Sequence, residues 1–141
     1  MSSQIPERAE RTSVSSGSPY EPVIGFSRAV RVGNAIHVSG TGPVFPADLM
    51  PEGGFPADDP YAQTHRAFEI ALAAVAELGG SPEDVVRTRM FLTRAEDWEE
   101  VGRAHGSFFG AIRPASTMVV VATLLDPAWR IEIEVDAVVP S

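Results

Sequence analysis

Hydrophobic and polar positions alternate most regularly at the end of the chain. In RIEIEVDAVV, residues 130–139, Ile131, Ile133, Val135, Ala137 and Val139 point one way, and Glu132, Glu134 and Asp136 point the other. A period of two marks a strand with one apolar face. The three carboxylates on the other face allow two readings, a solvated surface or a site that uses one of them. Upstream, FSRAVRVGNAIHVSG reads as a hairpin. Phe26, Ala29, Val30 and Val32 make its first strand, Ala35 to Ser39 its second, and Gly33-Asn34 is a turn pair that tolerates positive φ. The stretch GTGPVFPADLMPEGGFPADDP is dense in Gly and Pro and has no period. It predicts a long loop with a short extended piece at Val44-Phe45.

After Asp59 the period changes to that of a helix. Phe68, Ala71, Leu72, Val75 and Leu78 share one face, Asp59 is the N-cap, Pro60 sits where its missing N–H costs nothing, and Gly79-Gly80 is the stop. SPEDVV predicts a capped turn into the strand VVRTRMFL, where Val86, Thr88, Met90 and Leu92 alternate with Val85, Arg87, Arg89 and Phe91. A second helix runs through EDWEEVGRAHGSFF on Trp98, Val101, His105 and Phe108. Gly102 and Gly106 each weaken it by about 1 kcal/mol against Ala, so packing has to hold it. ASTMVVVATL is the most apolar strand, LDPAW a turn, and RIEIEVDAVV the last strand.

The order β-β-α-β-α-β-β predicts an α+β fold, a single mixed or antiparallel sheet with two helices on one face. Two helices cover only one face, yet TMVVVA is apolar on both sides. Other subunits are therefore expected to cover part of the second face. Residues 1–16, Ser-rich and charged, are expected to form a flexible tail, and 17–141 a single domain.

Composition narrows the chemistry. A 141-residue chain that is 44% hydrophobic suits one domain with a real core. A net charge of -8 disfavours nucleic acid and anionic membranes as partners. The absence of cysteine removes disulfides, thiol nucleophiles and thiolate metal sites, and fits a cytoplasmic location. All 11 basic residues are arginine, so no lysine is present for a Schiff base or a pyridoxal-phosphate aldimine. No apolar run approaches the roughly 18 residues of a membrane span, and MSSQIPERAERTSVSSGSP lacks a secretory h-region.

The motifs exclude more than they assign. His37, His65 and His105 lie on three elements without ligand spacing and read as structural, with His37 alone able to line a cleft. VSGTG is not a GxSxG elbow, and GTGPVF is neither GxGxxG nor followed by a helix. The arginines form no stripe. Among the acids, Glu134 and Asp136 suit a surface best. Glu132 lies deeper, near a turn facing ASTMVVVATL, where a carboxylate in a partly dry cleft can act as general base or orient a water.

Three blocks in order carry a resemblance: SPYEP…FSRAVRVGNAIHVSGTGPV, PYAQTHRAFEIALAAVAELGGSPEDVVRTRMFLTRAEDWEEVGRAHGSFF and RPASTMVVVATLLDPAWRIEIEVDAVV. Together, over about residues 17–139, they resemble the RidA/YjgF (L-PSP-like) family. Their specific parts are VRVGNAIHVSG, GGSPEDVVRTRMFL and the closing strands. The resemblance implies a chorismate-mutase-like subunit, a homotrimer with a central barrel, and small-molecule clefts between subunits. It also implies hydrolysis of enamines or imines to 2-keto acids and ammonia without metal or organic cofactor. In that chemistry an arginine after the second helix grips the substrate carboxylate, and a glutamate on the last strand handles water. A tyrosine near the N-terminus and a Ser-Gly after the second strand shape the cleft. Carried over, these are Glu132, Tyr20 and Ser39-Gly40, with Phe91 and Thr117 as further lining.

The arginine does not carry over. Where the family reads Pro-Ala-Arg-Ser, this chain reads Pro114-Ala115-Ser116-Thr117, so Ser116 takes the arginine's place opposite Glu132. Losing a bidentate clamp costs roughly a hundredfold or more in binding a carboxylate. Arg28, in YEPVIGFSRAV, is the leading candidate for a replacement charge, against the reading of a surface residue or a partner of a nearby acid; Arg89 and Arg113 are weaker candidates. The expectation is a cleft taking imines or enamines other than typical 2-imino acids, with Ser116 and Thr117 hydrogen-bonding the ligand. The alternative is a non-catalytic ligand-binding or protein-protecting trimer. A ribonuclease, a role attached to the family by name, does not suit the acidic charge.

Overall fold

The alternating last strand becomes the middle of a six-stranded sheet. The computed structural model describes residues 10–141. Its strands are β1 (Arg11–Val14), β2 (Ala29–Val32), β3 (Ala35–Thr41), β4 (Val85–Leu92), β5 (Ala115–Val120) and β6 (Ile131–Val138), and its main helices are α1 (Pro60–Glu77) and α2 (Trp98–Phe109). The sheet order is β1-β2-β3-β6-β4-β5. Every pair is antiparallel except β4 and β5, which run parallel because α2 crosses between them. The fold is α+β, with both helices on one face of a single mixed sheet.

The helix-facing side of β6 supplies Ile131, Ile133, Val135 and Ala137, each at most 1% exposed. Ile36 and Val38 of β3, and Met90 and Leu92 of β4, extend that layer. Ala67, Phe68, Ala71 and Val75 of α1 close over it. The α1 boundaries follow from local chemistry. The Asp59 carboxylate accepts a hydrogen bond from the Ala62 N–H at 2.9 Å, and Gly79 turns out of the helix at φ 91°.

The entry to β6 is pinned from two sides. The Arg130 guanidinium donates to both carboxylate oxygens of the buried Asp97, at 2.9 and 2.6 Å. Its backbone N–H donates to Oε1 of the fully buried Gln63 at 2.8 Å. Strand β6 is thereby tied to α1 and to the start of α2 just before Glu132.

Two expectations change. Arg11–Val14, placed in a flexible tail, is an edge strand paired with β2 from Arg11↔Val32 to Val14↔Ala29; residues 1–9 of that tail lie outside the described residues. The two closing strands are not neighbours either. Strand β4 lies between β5 and β6, because β5 follows a crossover helix and lands parallel to β4 on the outer edge. There β5 is largely exposed, with Val119 at 42% and Val120 at 54%. Among the described residues no helix is long and apolar enough to cross a membrane.

Candidate ligand site on the open face of the sheet

Residues paired across a sheet share a face. On the face away from the helices, Glu132 of β6 is in register with Phe91 of β4, which is in register with Val119 of β5. The next row is Glu134, Arg89 and Thr117. The row beyond holds His37, Asp136 and Arg87. In these outer rows the acids are paired: Arg89 reaches Asp136 at 3.2 Å and Glu134 at 3.5 Å, and His37 Nδ1 lies 2.7 Å from Asp136. Glu134 and Asp136 are thus members of a surface charge network. Glu132 has no ion pair of this kind among the described residues.

On its other side Glu132 meets β3. The register of β3 on β6 slips between Val38 and Thr41, a bulge that carries Gly40 up against the Glu132 side chain. A Cβ at Gly40 would lie 2.5 Å from Glu132 Oε2, so any side chain there would push this carboxylate from its place. Trp129 forms a neighbouring wall, its indole packed where Gly42 has no side chain.

Arg28 supports the arrangement from beneath and is only 8% exposed. Its Nη1 donates to the Gly40 carbonyl at 2.6 Å and to Thr41 Oγ1 at 3.1 Å, and its Nε donates to Ser16 Oγ at 3.2 Å. Its Nη2 lies 3.8 Å from Glu21. The Glu21 carboxylate also accepts from the Ser16 hydroxyl and backbone N–H, at 2.6 and 3.1 Å. Arg28 is therefore neither a surface residue nor a free clamp: its Nε and Nη1 donate to the backbone and side chains that shape the cleft, and its Nη2 faces the Glu21 carboxylate.

The electrostatics follow from burial. Burial pushes the Glu132 carboxyl above its ordinary value, the Glu134 charge adds to this, and the Arg28 charge works against it. For Glu21 burial acts upward too, but the hydrogen bonds from Ser16 and Ser15, with Arg28, outweigh it and hold the carboxyl below its ordinary value. Two acids near one arginine are thus driven apart. Glu21 is a fixed anion, and Glu132 holds its proton more readily than an ordinary glutamate.

The other expected site residues are dispersed. Tyr20 is exposed and opens the wide turn Glu21–Gly25. The Ser39 hydroxyl donates to the Ser27 carbonyl at 2.6 Å. Thr117 lies on the Glu132 face, one row away. Ser116 does not. It is in register with Thr88, whose side chain is buried on the helix side, and the two hydroxyls are 2.8 Å apart. Within a subunit, Ser116 and Glu132 lie on opposite faces with β4 between them, so the expected opposition is absent. Arg113, at φ 56° before Pro114, is exposed and precedes β5. Sequence reasoning missed Glu21 and Trp129. A carboxylate seven residues before an arginine and a tryptophan in a turn carry no local signal of their meeting with Glu132's neighbours. Among the described residues no cluster of His, Asp and Glu is arranged to hold a metal.

Comparisons agree with this architecture. The family model described as Endoribonuclease L-PSP matches residues 17–139. An uncharacterized protein of Streptomyces coelicolor is 42% identical over 124 residues, 88% of this chain and 89% of its own. A 2-iminobutanoate/2-iminopropanoate deaminase of Dermatophagoides farinae is 32% identical over 115 residues, 81% of this chain and 85% of its own. The crystal structure of Rv2704 from Mycobacterium tuberculosis, a member of the YjgF/YER057c/UK114 family, is 42% identical and superposes with a TM-score of 0.81, covering 92% of this chain and 100% of that one.

The raised Glu132 carboxyl has a measurable consequence. A carboxyl raised in the folded state binds its proton more tightly folded than unfolded. Stability is therefore lost as pH rises from the ordinary value through the raised one, and the loss is complete above it. Glu132→Gln keeps the shape without the charge. It is expected to melt above wild type near pH 7, with the gap closing as pH falls below about 4.3. Parallel melting curves with no gap at any pH would contradict this.

Proposed function

We propose a function that starts from the chain's family: it belongs to the endoribonuclease L-PSP family, also called YjgF/YER057c/UK114. It is a homotrimer that binds small imines or enamines at clefts between subunits and hydrolyses them through Glu132. The observation that carries this is a carboxylate half-buried against Gly40, raised by burial, and free of the ion pairs that hold its two neighbours. Such a group can take a proton from water as the water attacks an imine carbon, and return it to the departing nitrogen. The name of the mite relative supports imine chemistry.

Substrate choice follows from the charges. Ser116 takes the sequence position of the expected carboxylate clamp but faces away from Glu132 within a subunit, and Arg28 is committed to Gly40, Thr41, Ser16 and Glu21. A 2-imino acid would bring its carboxylate to Glu132, which among the described residues has no arginine in an ion pair with it. Neutral or cationic imines suit the cleft better. The trimer is supported by the exposed apolar strand β5, whose Val119 and Val120 need cover.

Two measurements test this. With 2-iminopropionate generated by an amino-acid oxidase, the protein is expected to speed decay little. With carboxylate-free imines it is expected to speed decay by a step that Glu132→Ala slows about a hundredfold. Rapid, Glu132-dependent hydrolysis of 2-iminopropionate overturns the substrate assignment, and turnover indifferent to Glu132→Ala overturns the mechanism. Light scattering is expected to give three times the 15.1 kDa chain mass; a monomer refutes the intersubunit cleft.

A further inference from the structure

The helix side of the sheet holds a second polar constellation that the Glu132 chemistry does not use. Ser116 of β5 is exposed, and its Oγ lies 2.8 Å from Thr88 Oγ1 on β4. Thr88 Oγ1 lies 2.8 Å from His105 Nε2 on α2. Thr88 is fully buried, so its hydroxyl links a surface serine to a half-buried imidazole. The imidazole is held in an aromatic box, its ring centroid 5.5 Å from that of Phe68 and 4.8 Å from that of Phe109. Burial holds His105 below the ordinary imidazole value, so the free imidazole is uncharged at neutral pH.

Hydroxyls both donate and accept, so the chain has two settings. In one, His105 Nε2–H donates to Thr88, Thr88 donates to Ser116, and Ser116 has a proton to give outward. In the other, Ser116 donates to Thr88, Thr88 donates to the bare Nε2, and Ser116 Oγ presents lone pairs outward. Moving from the second setting to a reacted state takes one proton hop along each bond. A serine in hydrogen-bond contact with a base, directly or through one hydroxyl, has the arrangement of an activated nucleophile.

We propose that Ser116 is a nucleophile activated by His105 through Thr88, and that it accepts the acyl group of activated esters. As Ser116 Oγ forms its bond to the acyl carbon, its proton passes to Thr88 Oγ1 and the Thr88 proton passes to His105 Nε2. The bond from the acyl carbon to the alcohol oxygen breaks with its electron pair, and the departing alkoxide takes its proton from solvent while the imidazolium keeps the proton that came from Ser116. In the second pass water attacks the acyl carbon and gives a proton to solvent, the bond from the acyl carbon to Ser116 Oγ breaks with its electron pair on Oγ, and the imidazolium returns its proton through Thr88 Oγ1 to Ser116 as the acid leaves. Neither pass involves Glu132, so the imine chemistry and the acyl chemistry stand or fall separately.

The probe is p-nitrophenyl acetate, with nitrophenolate release followed at early times and the acetylated peptide located by mass spectrometry. Wild-type protein is expected to carry acetyl on Ser116, and Ser116→Ala to carry none there. Thr88→Val, which keeps the buried shape but removes the linking hydroxyl, is expected to acetylate Ser116 about a hundredfold more slowly. Thr88→Ser, which restores a hydroxyl, is expected to recover most of the rate. His105→Gln is expected to lose it as Thr88→Val does. Absence of acetyl on wild-type Ser116 overturns the proposal. So does a Thr88→Val rate equal to wild type, or a Thr88→Ser rate as low as that of Thr88→Val in protein with unchanged circular dichroism.

Discussion

The position of β6 between β3 and β4 is the constraint on which the rest of the structure depends. A strand in the middle of a sheet has two faces and no free edge, and its side chains alternate without exception. Seating Ile131, Ile133, Val135 and Ala137 under α1 therefore forces Glu132, Glu134 and Asp136 onto the opposite face. A slip of one residue would bury three carboxylates and expose four apolar side chains. The bonds of Arg130 to Asp97 and Gln63 oppose that slip at the entry to the strand. Core packing and the placement of the candidate catalytic acid are one requirement.

What separates the three acids is their surroundings. Glu134 and Asp136 share Arg89, and Asp136 also meets His37, so both are answered by charge across the sheet. Glu132 is answered by the absence of a side chain at Gly40 and by a guanidinium whose donors are directed elsewhere. Arg28 tempers the Glu132 carboxyl without pairing with it, while Glu21 balances Arg28. Holding Glu132 in this state opposes stability, a cost usual for groups kept for chemistry.

Local patterns in the sequence were reliable where the cause is local. The Asp59 cap, the Gly79 stop, the Gly33-Asn34 turn and the alternation of β6 each depend on neighbouring residues, and each is present. Strand order was not legible. Adjacent strands in the chain suggest a hairpin, whereas the crossover by α2 sends β5 to the outside of β4 and moves Ser116 to the face opposite Glu132. Strand β1, with the sequence RTSV, is too short and polar to show a period. The burial of Arg28 was hidden for another reason. Its partners Ser16, Glu21, Gly40 and Thr41 come from separate segments, and no spacing announces their convergence. The same holds for the line from Ser116 through Thr88 to His105, three residues on three elements that read singly as ordinary strand and helix positions.

The proposed chemistry of the cleft requires Glu132 to be a carboxyl set apart from its neighbours. Carbon NMR titration of the Glu132 side-chain carboxyl tests it most directly. The structure predicts a midpoint above the ordinary glutamate value of about 4.3, in the direction set by burial and Glu134. A midpoint at or below that value would mean that Glu132 is solvated or paired like its neighbours, and would contradict its assignment as the proton-exchanging group of the cleft.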